Sequence, residues 1–168
     1  MIKIELADEK ARNYFIRDYL GRYGKDEDLA DRYAAACISL HRSLVLWEHD
    51  KIVGGITWSI KEGIVSGIVE IFQISILRSH RGKGYGSMLV DACIKDIETF
   101  YHQKEYPLRR IYIIITESNI VGRNLYRSKG FTIEATIKNH HFHHQKDYFY
   151  VKDYPYIDSS ENRSHQQL

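Results

Sequence analysis

The sequence predicts a single α/β (α+β) domain: a mixed, mostly antiparallel sheet of six to seven strands, helices on both faces, and a central β-α-β unit. Three observations carry this. Apolar runs of strand length alternate with amphipathic helical patterns along the chain. Ile111 to Ile115 is apolar at every position, as a central strand covered on both faces must be. Arg81-Gly82-Lys83-Gly84-Tyr85-Gly86 joins an apolar run ending at Leu77 to a helical pattern. With 168 residues, 43% of them hydrophobic, the chain suits one compact core. The expected domain is 1–153, with a polar, loose tail over 154–168.

Residues 2–7 alternate like a first strand. Helical patterns follow over 8–22 and 27–42, the second opening on Asp26-Glu27-Asp28, where negative charge suits the helix dipole. Ser43 to Glu48 and Ile52 to Ile60 read as strands joined by the turn His49-Asp50-Lys51. Lys61-Glu62-Gly63 then leads to a long strand ending at Leu77. After the glycine run, Leu89, Cys93, Ile97 and Phe100 form an apolar stripe at helical spacing. This helix returns the chain to the 111–115 strand by a right-handed crossover. A short helix over 120–128 ends at Lys129-Gly130, and Phe131 to Ile137 and Tyr148 to Val151 supply the last strands.

Composition excludes several classes. A formal net charge of +2 is too small for a nucleic-acid footprint. The N-terminus lacks a signal peptide's apolar core, and no window approaches membrane-spanning length. Cys37 and Cys93 stand apart without metal or redox spacing, so they read as buried small residues in a reducing compartment. A cytoplasmic protein is expected, with no nucleic-acid or membrane partner.

The glycine run reads as an anion cradle. Its glycines let backbone N–H groups approach an anion closely, and the following helix adds its own free N–H groups and dipole. Two familiar motifs fail: a dinucleotide fingerprint meets Ser87 where the third glycine belongs, and no window supplies a P-loop. Arg81, Gly84 and Gly86 do match R-x-x-G-x-G, which resembles the coenzyme A pyrophosphate loop of the GNAT superfamily of N-acetyltransferases. A second stretch, Asn119 to Phe131, resembles that superfamily's N-x-x-A-x-x-L-Y-x-x-x-G-F, with Gly122 in place of alanine. Glycine there is expected to weaken the helix by about 1 kcal/mol. The resemblance spans roughly residues 69–131 and is weak over 8–42.

The resemblance implies acetyl-CoA as acyl donor, no metal, and direct transfer to the primary amine of a small molecule or peptide. An alkyl amine titrates near ~10.4, so freeing its lone pair at pH 7 costs about 4.6 kcal/mol and a base is needed. Glu70 is the candidate, a carboxylate between Val69 and Ile71 inside a strand. Phe72, Ile74 and Ile76, its alternation partners, are expected to desolvate it on one apolar face. Glu70 also stands eleven residues before Arg81, the spacing of the catalytic glutamate in the superfamily's histone-acetylating branch. A structural ion pair is the rival role for Glu70, and Glu117 is the second candidate base.

Tyr126 falls where the superfamily places the acid that protonates the leaving thiolate; its rival role is packing. The donor's thioester is expected to meet backbone N–H groups around Ile74 to Ile76, and its pyrophosphate Arg81, Gly82, Lys83, Gly84, Tyr85 and Gly86. Asn119 either contacts the coenzyme or caps its helix. His140-His141-Phe142-His143-His144 invites a metal reading, but in a strand or hairpin only pairs of histidines share a face. A loop lining the acceptor site and a solvated hairpin are the alternatives. The rival functions are a coenzyme-binding regulatory protein without catalysis and, less well supported by motif, a nucleotide-dependent oxidoreductase. Acceptor identity and the choice between monomer and homodimer are not encoded in any motif.

Overall fold

The computed structural model describes residues 1–155. β1 (Ile2–Leu6) is followed by a 3-10 turn, α1 (Arg12–Tyr23) and α2 (Glu27–Ser39), then by β2 (Arg42–Glu48), β3 (Lys51–Lys61) and β4 (Ile68–Ile76). α3 (Tyr85–Gln103), β5 (Arg110–Thr116), α4 (Ile120–Ser128), β6 (Thr132–Lys138) and β7 (Lys146–Asp153) complete the order. One seven-stranded sheet runs β1-β2-β3-β4-β5-β7-β6. Its β4–β5 pair, joined by the α3 crossover, is parallel, and the other pairs are antiparallel.

Several boundaries differ from the sequence pattern for local reasons. The expected first helix divides because Asp8 accepts the Lys10 N–H at 2.9 Å and closes a 3-10 turn, Glu9–Ala11, ahead of α1. The second stops at Ser39 rather than 42, since Leu40 and His41 both donate to the Ala36 carbonyl and Arg42 pairs with Trp58 across β3. The last strand is longer than expected, running from Lys146 to Asp153. Tyr154, expected in the tail, donates its N–H to Arg109 and its hydroxyl to Glu98. The remaining expected tail, 156–168, lies outside the described residues.

Each sheet face carries its own core. Leu89, Cys93 and Ile97 of α3, with Tyr126 of α4, pack on Ile56, Trp58, Val69, Ile71 and Ile111. On the opposite face Tyr14 and Phe15 of α1 and Ala34 and Cys37 of α2 cover Val45 and Ile52. No helix among the described residues is long and apolar enough to cross a membrane.

The β3–β4 ladder contains a bulge. Thr57 faces Gln73 but Trp58 faces Ile71, leaving Phe72 as an extra residue on β4. A bulge bends its strand and sharpens its twist. Accordingly, parallel pairing of β4 with β5 covers Ile68, Val69 and Glu70 and goes no further, although β4 continues to Ile76 and β5 to Thr116. A gap opens in the middle of the sheet.

Asp96 fastens α3 across this sheet. It accepts from Arg42 Nε and Nη2 at 2.7 and 2.8 Å and from Trp58 Nε1 at 2.9 Å. Trp58 is fully buried, so Asp96→Ala strands an indole N–H in the core. The unfolding free energy measured by urea denaturation is expected to fall by about 2 kcal/mol.

Candidate active site

The gap between β4 and β5 widens into a cleft of about 770 Å³. Leu77 N–H donates to Val53 O at 2.8 Å, which makes Leu77/Val53 and, by alternation, Ser75/Gly55 the hydrogen-bonded pairs of this ladder. The N–H and C=O groups of Ile74 and Ile76 therefore point away from β3 into the gap. Their carbonyls have partners: Arg22 Nη2 donates to Ile74 O at 3.0 Å and Arg81 Nε to Ile76 O at 3.1 Å. Their N–H groups face the cleft, whose wall both residues form.

At one end of the cleft lies the glycine loop. Gly82 and Gly84 have φ of 78° and 80°, a left-handed backbone that favours glycine. Gly84 is the N-cap of α3 without a side-chain cap, and Met88 N–H, bonded to Gly84 O at 3.1 Å, is the first helical donor to find that carbonyl. The earlier N–H groups of the turn are free for an anion. Arg81, Gly82, Gly84, Tyr85 and Gly86 line the cleft. Lys83 does not: its ammonium turns to Glu48 at 3.2 Å. The walls carry Arg17, Arg22, Arg78 and Arg81, and Asp18 is the one carboxylate among the lining residues. The cleft suits a polyanion.

Asn119 caps its helix and also stands at the cleft. It lines the cleft, and its Oδ1 accepts the Gly122 N–H at 2.9 Å as a helix cap. A Cβ on Gly122 would sit 2.7 Å from the Asn119 amide nitrogen, so the glycine leaves room for the cap.

The two proposed proton-transfer residues lie off the lining, on opposite faces of the sheet. Val69 and Ile71 belong to the α3 core, so Glu70 between them faces the α1/α2 side. The bulge corrects the expected apolar neighbourhood of Glu70. Phe72 packs edge-on against His41, and Gln73 bonds to Asp18 and Tyr33, on the same side. Ile74 and Ile76 pack on the other core. An extra residue has inverted the alternation, and only Phe72 of the three expected partners shares the face of Glu70. Lys61 pairs with Glu70 at 2.5 Å. The Tyr112 phenol is pushed up to about 12 by burial and by Glu70 and Glu62.

Tyr126 is fully buried, edge-on to Phe131 at 5.3 Å, and its hydroxyl has no hydrogen-bond partner among the described residues. Burial, with the nearby Cys93 thiol, pushes the phenol well above its usual value, so it is protonated at neutral pH. Glu117 is engaged as a staple: its Oε1 accepts the Lys146 N–H at 3.0 Å and its carbonyl accepts from Arg123 at 3.0 Å. The histidine run forms the β6–β7 loop instead of a strand. There the buried Asp147 receives His141 N at 2.9 Å and faces His141 Nδ1 at 3.0 Å. Among the described residues no three His, Cys, Asp or Glu side chains stand together as a metal site.

Sequence reasoning missed the α1 wall. Tyr14, Asp18 and Gly21, with Arg17 and Arg22, line the cleft at helical spacing. Tyr14 hydroxyl also meets Ser75 Oγ at 2.5 Å. The signal was present, but a polar stripe on a helix looks the same when it faces only water.

A sheet opened between parallel central strands, with a glycine loop and helix N-terminus at its mouth, leaves a cleft whose backbone N–H groups and arginines suit a phosphate-bearing ligand. A family model described as the acetyltransferase (GNAT) family matches residues 8–131, and the chain belongs to that family. Solved structures share the fold. The ribosomal-protein-S18-alanine N-acetyltransferase of Escherichia coli is 14% identical, with TM-score 0.73, covering 95% of this chain and 98% of its own. The acetyltransferase yncA of Salmonella typhimurium, solved with its cofactor acetyl-CoA, is 17% identical, with TM-score 0.71 and coverage of 94% and 96%. Naa50 of Arabidopsis thaliana, bound to the bisubstrate analogue CoA-Ac-MVNAL, is 20% identical, with TM-score 0.69 and coverage of 91% and 99%. No curated protein matches the sequence.

The unpartnered Tyr126 hydroxyl generates a stability prediction. A buried hydroxyl without a partner forfeits about 1–3 kcal/mol of hydration. Tyr126→Phe is therefore expected to keep or raise the thermal midpoint, where loss of a structural hydrogen bond would lower it.

Proposed function

We propose that this protein is an N-acetyltransferase that moves the acetyl group of acetyl-CoA to a primary amine by direct transfer in a ternary complex. The observation that carries this is the pair of Ile74 and Ile76 N–H groups facing a gap that ends at the glycine loop. An extended pantetheine arm would lie along β4 like an added strand, with its pyrophosphate at Arg81 to Gly86. A strand N–H in the gap would polarise the thioester oxygen. Glu70 would accept the proton of the acceptor's ammonium. The freed amine would add to the thioester carbon; as the C–S bond breaks Tyr126, protonated at neutral pH, would donate its proton to the thiolate, and the second proton that nitrogen sheds on becoming an amide would return to the tyrosine by way of solvent in the cleft. Neither cysteine is needed as a nucleophile: Cys37 and Cys93 are buried, and burial raises both thiols, Cys37 to about 11.

The acceptor is a primary amine of a small molecule or a peptide. The fold neighbours named above include a ribosomal-protein-S18-alanine N-acetyltransferase and a protein bound to the analogue CoA-Ac-MVNAL, and a spermidine N-acetyltransferase of Vibrio cholerae shares the fold with TM-score 0.73. The Lys61 to Glu70 contact favours a second reading, a coenzyme-binding regulator of the same fold, because it leaves the proposed base ion-paired.

Release of free coenzyme, followed with a thiol reagent over a panel of amines, separates the two. Glu70→Gln is expected to lower kcat/KM by about 10²-fold or more, and Tyr126→Phe to lower kcat by a factor on the order of 10 to 10². Turnover unchanged in both variants would remove the assigned roles. Thermal stabilisation by acetyl-CoA without turnover on any amine would establish the regulator.

A further inference from the structure

We infer that Glu48 is a positioning residue for the donor: it clasps the glycine loop from behind and holds its backbone ready for the pyrophosphate. This rests on the proposed reading that the loop takes the pyrophosphate of acetyl-CoA. Glu48 is the last residue of β2 and does not line the cleft. Its carboxylate nonetheless gathers three donors from the loop region. His80 Nε2 lies at 3.0 Å and Lys83 Nζ at 3.2 Å, and the Tyr85 hydroxyl donates to Oε1. These donors bracket both left-handed glycines: His80 precedes Gly82, Lys83 stands between Gly82 and Gly84, and Tyr85 follows Gly84.

The loop needs such a clasp. Glycine has more backbone freedom to lose than any other residue, and Gly84 caps α3 without a side chain of its own. A loop left to wander would lose that freedom when the ligand binds, at the ligand's expense. Glu48 is a firm anchor, since it pairs with Ile2 on one side and Lys51 on the other. Its side chain is 19% exposed and that of His80 is 16% exposed, so water competes weakly for their contact. The Tyr85 hydroxyl and Lys83 hold the Glu48 carboxylate low, at about 2, so the clasp is charged throughout the physiological range. A lowered carboxyl contributes above its ordinary value of 4.5 and is lost as pH falls toward 2. The consequence for Lys83 is specific. Its charge serves the shape of the loop, and the phosphates are left to the backbone N–H groups and Arg81.

The test measures coenzyme A affinity by calorimetry and steady-state kinetics for wild type, Glu48→Gln, Glu48→Asp, Tyr85→Phe and the Glu48→Gln/Tyr85→Phe double variant. Glu48→Gln is expected to weaken coenzyme A binding and raise the KM for acetyl-CoA by about tenfold, while kcat and the amine KM stay put. Glu48→Asp recovers part of the loss. Tyr85→Phe costs less on top of Glu48→Gln than alone, because both remove one contact set. Affinity equal to wild type in Glu48→Gln, or tighter binding from a Lys83 freed for the phosphates, overturns the clasp. So does a fall in kcat that matches the rise in KM. A wild-type protein that fails to bind coenzyme A instead overturns the assignment of the loop itself.

Discussion

A single extra residue, Phe72, governs the rest of this structure. Its bulge turns β4 away from β5 just where their parallel pairing ends, and a closed sheet would have had no cleft. Opening a central sheet is costly, because each unpaired N–H or C=O removed from water loses a hydrogen bond. The chain meets half of this cost with its own arginines: Arg22 from α1 and Arg81 from the loop take the two carbonyls. The N–H groups are the half left open. The bulge is itself held in place, since Gln73 next to it is locked between Tyr33 of α2 and Asp18 of α1. The helices of one face thereby set the geometry of a gap that the other face shares.

The same arrangement separates two electrostatic tasks. At the mouth, the proposed anion recognition would be built from backbone donors and a helix terminus, which are fixed in direction and need no flexible side chain. The nearby cations are tied to other partners: Lys83 and His80 to Glu48, Arg22 to Asp18 and a carbonyl. They lend positive potential without having to grip the ligand. Near the closed end of the gap, Glu70, Lys61 and Tyr112 form a compact polar group.

Much of this was legible from residue pattern. The central strand showed itself as Ile111 to Ile115, although its burial alternates: Ile111, Ile113 and Ile115 are buried in the α3 core, whereas Tyr112 and Ile114 on the other face are only half-buried. The loop showed itself because only glycine adopts φ near 80° so freely at Gly82 and Gly84. What stayed hidden depended on long-range pairing. The bulge has no composition signature in Glu70-Ile71-Phe72-Gln73, so strict alternation put Ile74 and Ile76 on the wrong face for Glu70. Glu48 is an ordinary strand-end carboxylate until β2 is laid beside the loop. Tyr14, Arg17, Asp18 and Arg22 carry no motif that marks them individually, and the resemblance is weakest there. Helix ends were misread where a single side chain or a shared carbonyl, as at Asp8 and Ala36, ended the pattern early.

Placing Glu70 and Tyr126 on opposite faces is awkward for a reaction only if the sheet is imagined closed. Glu70 looks toward the α1/α2 side and Tyr126 lies in the α3/α4 core, and neither reaches the other through a paired ladder. The gap is where the two faces communicate. In the proposed reaction a thioester threaded along the unpaired edge of β4 would present its carbon toward the side of Glu70, where an amine can approach. Its sulfur would stay toward the side of Tyr126, whose protonated hydroxyl has no partner among the described residues. Proton removal and proton delivery would then be separated by the plane of the sheet. In that proposed reaction the bulge would do more than admit the donor: it would allow a two-sided proton transfer in a fold whose two cores lie on opposite faces of the sheet.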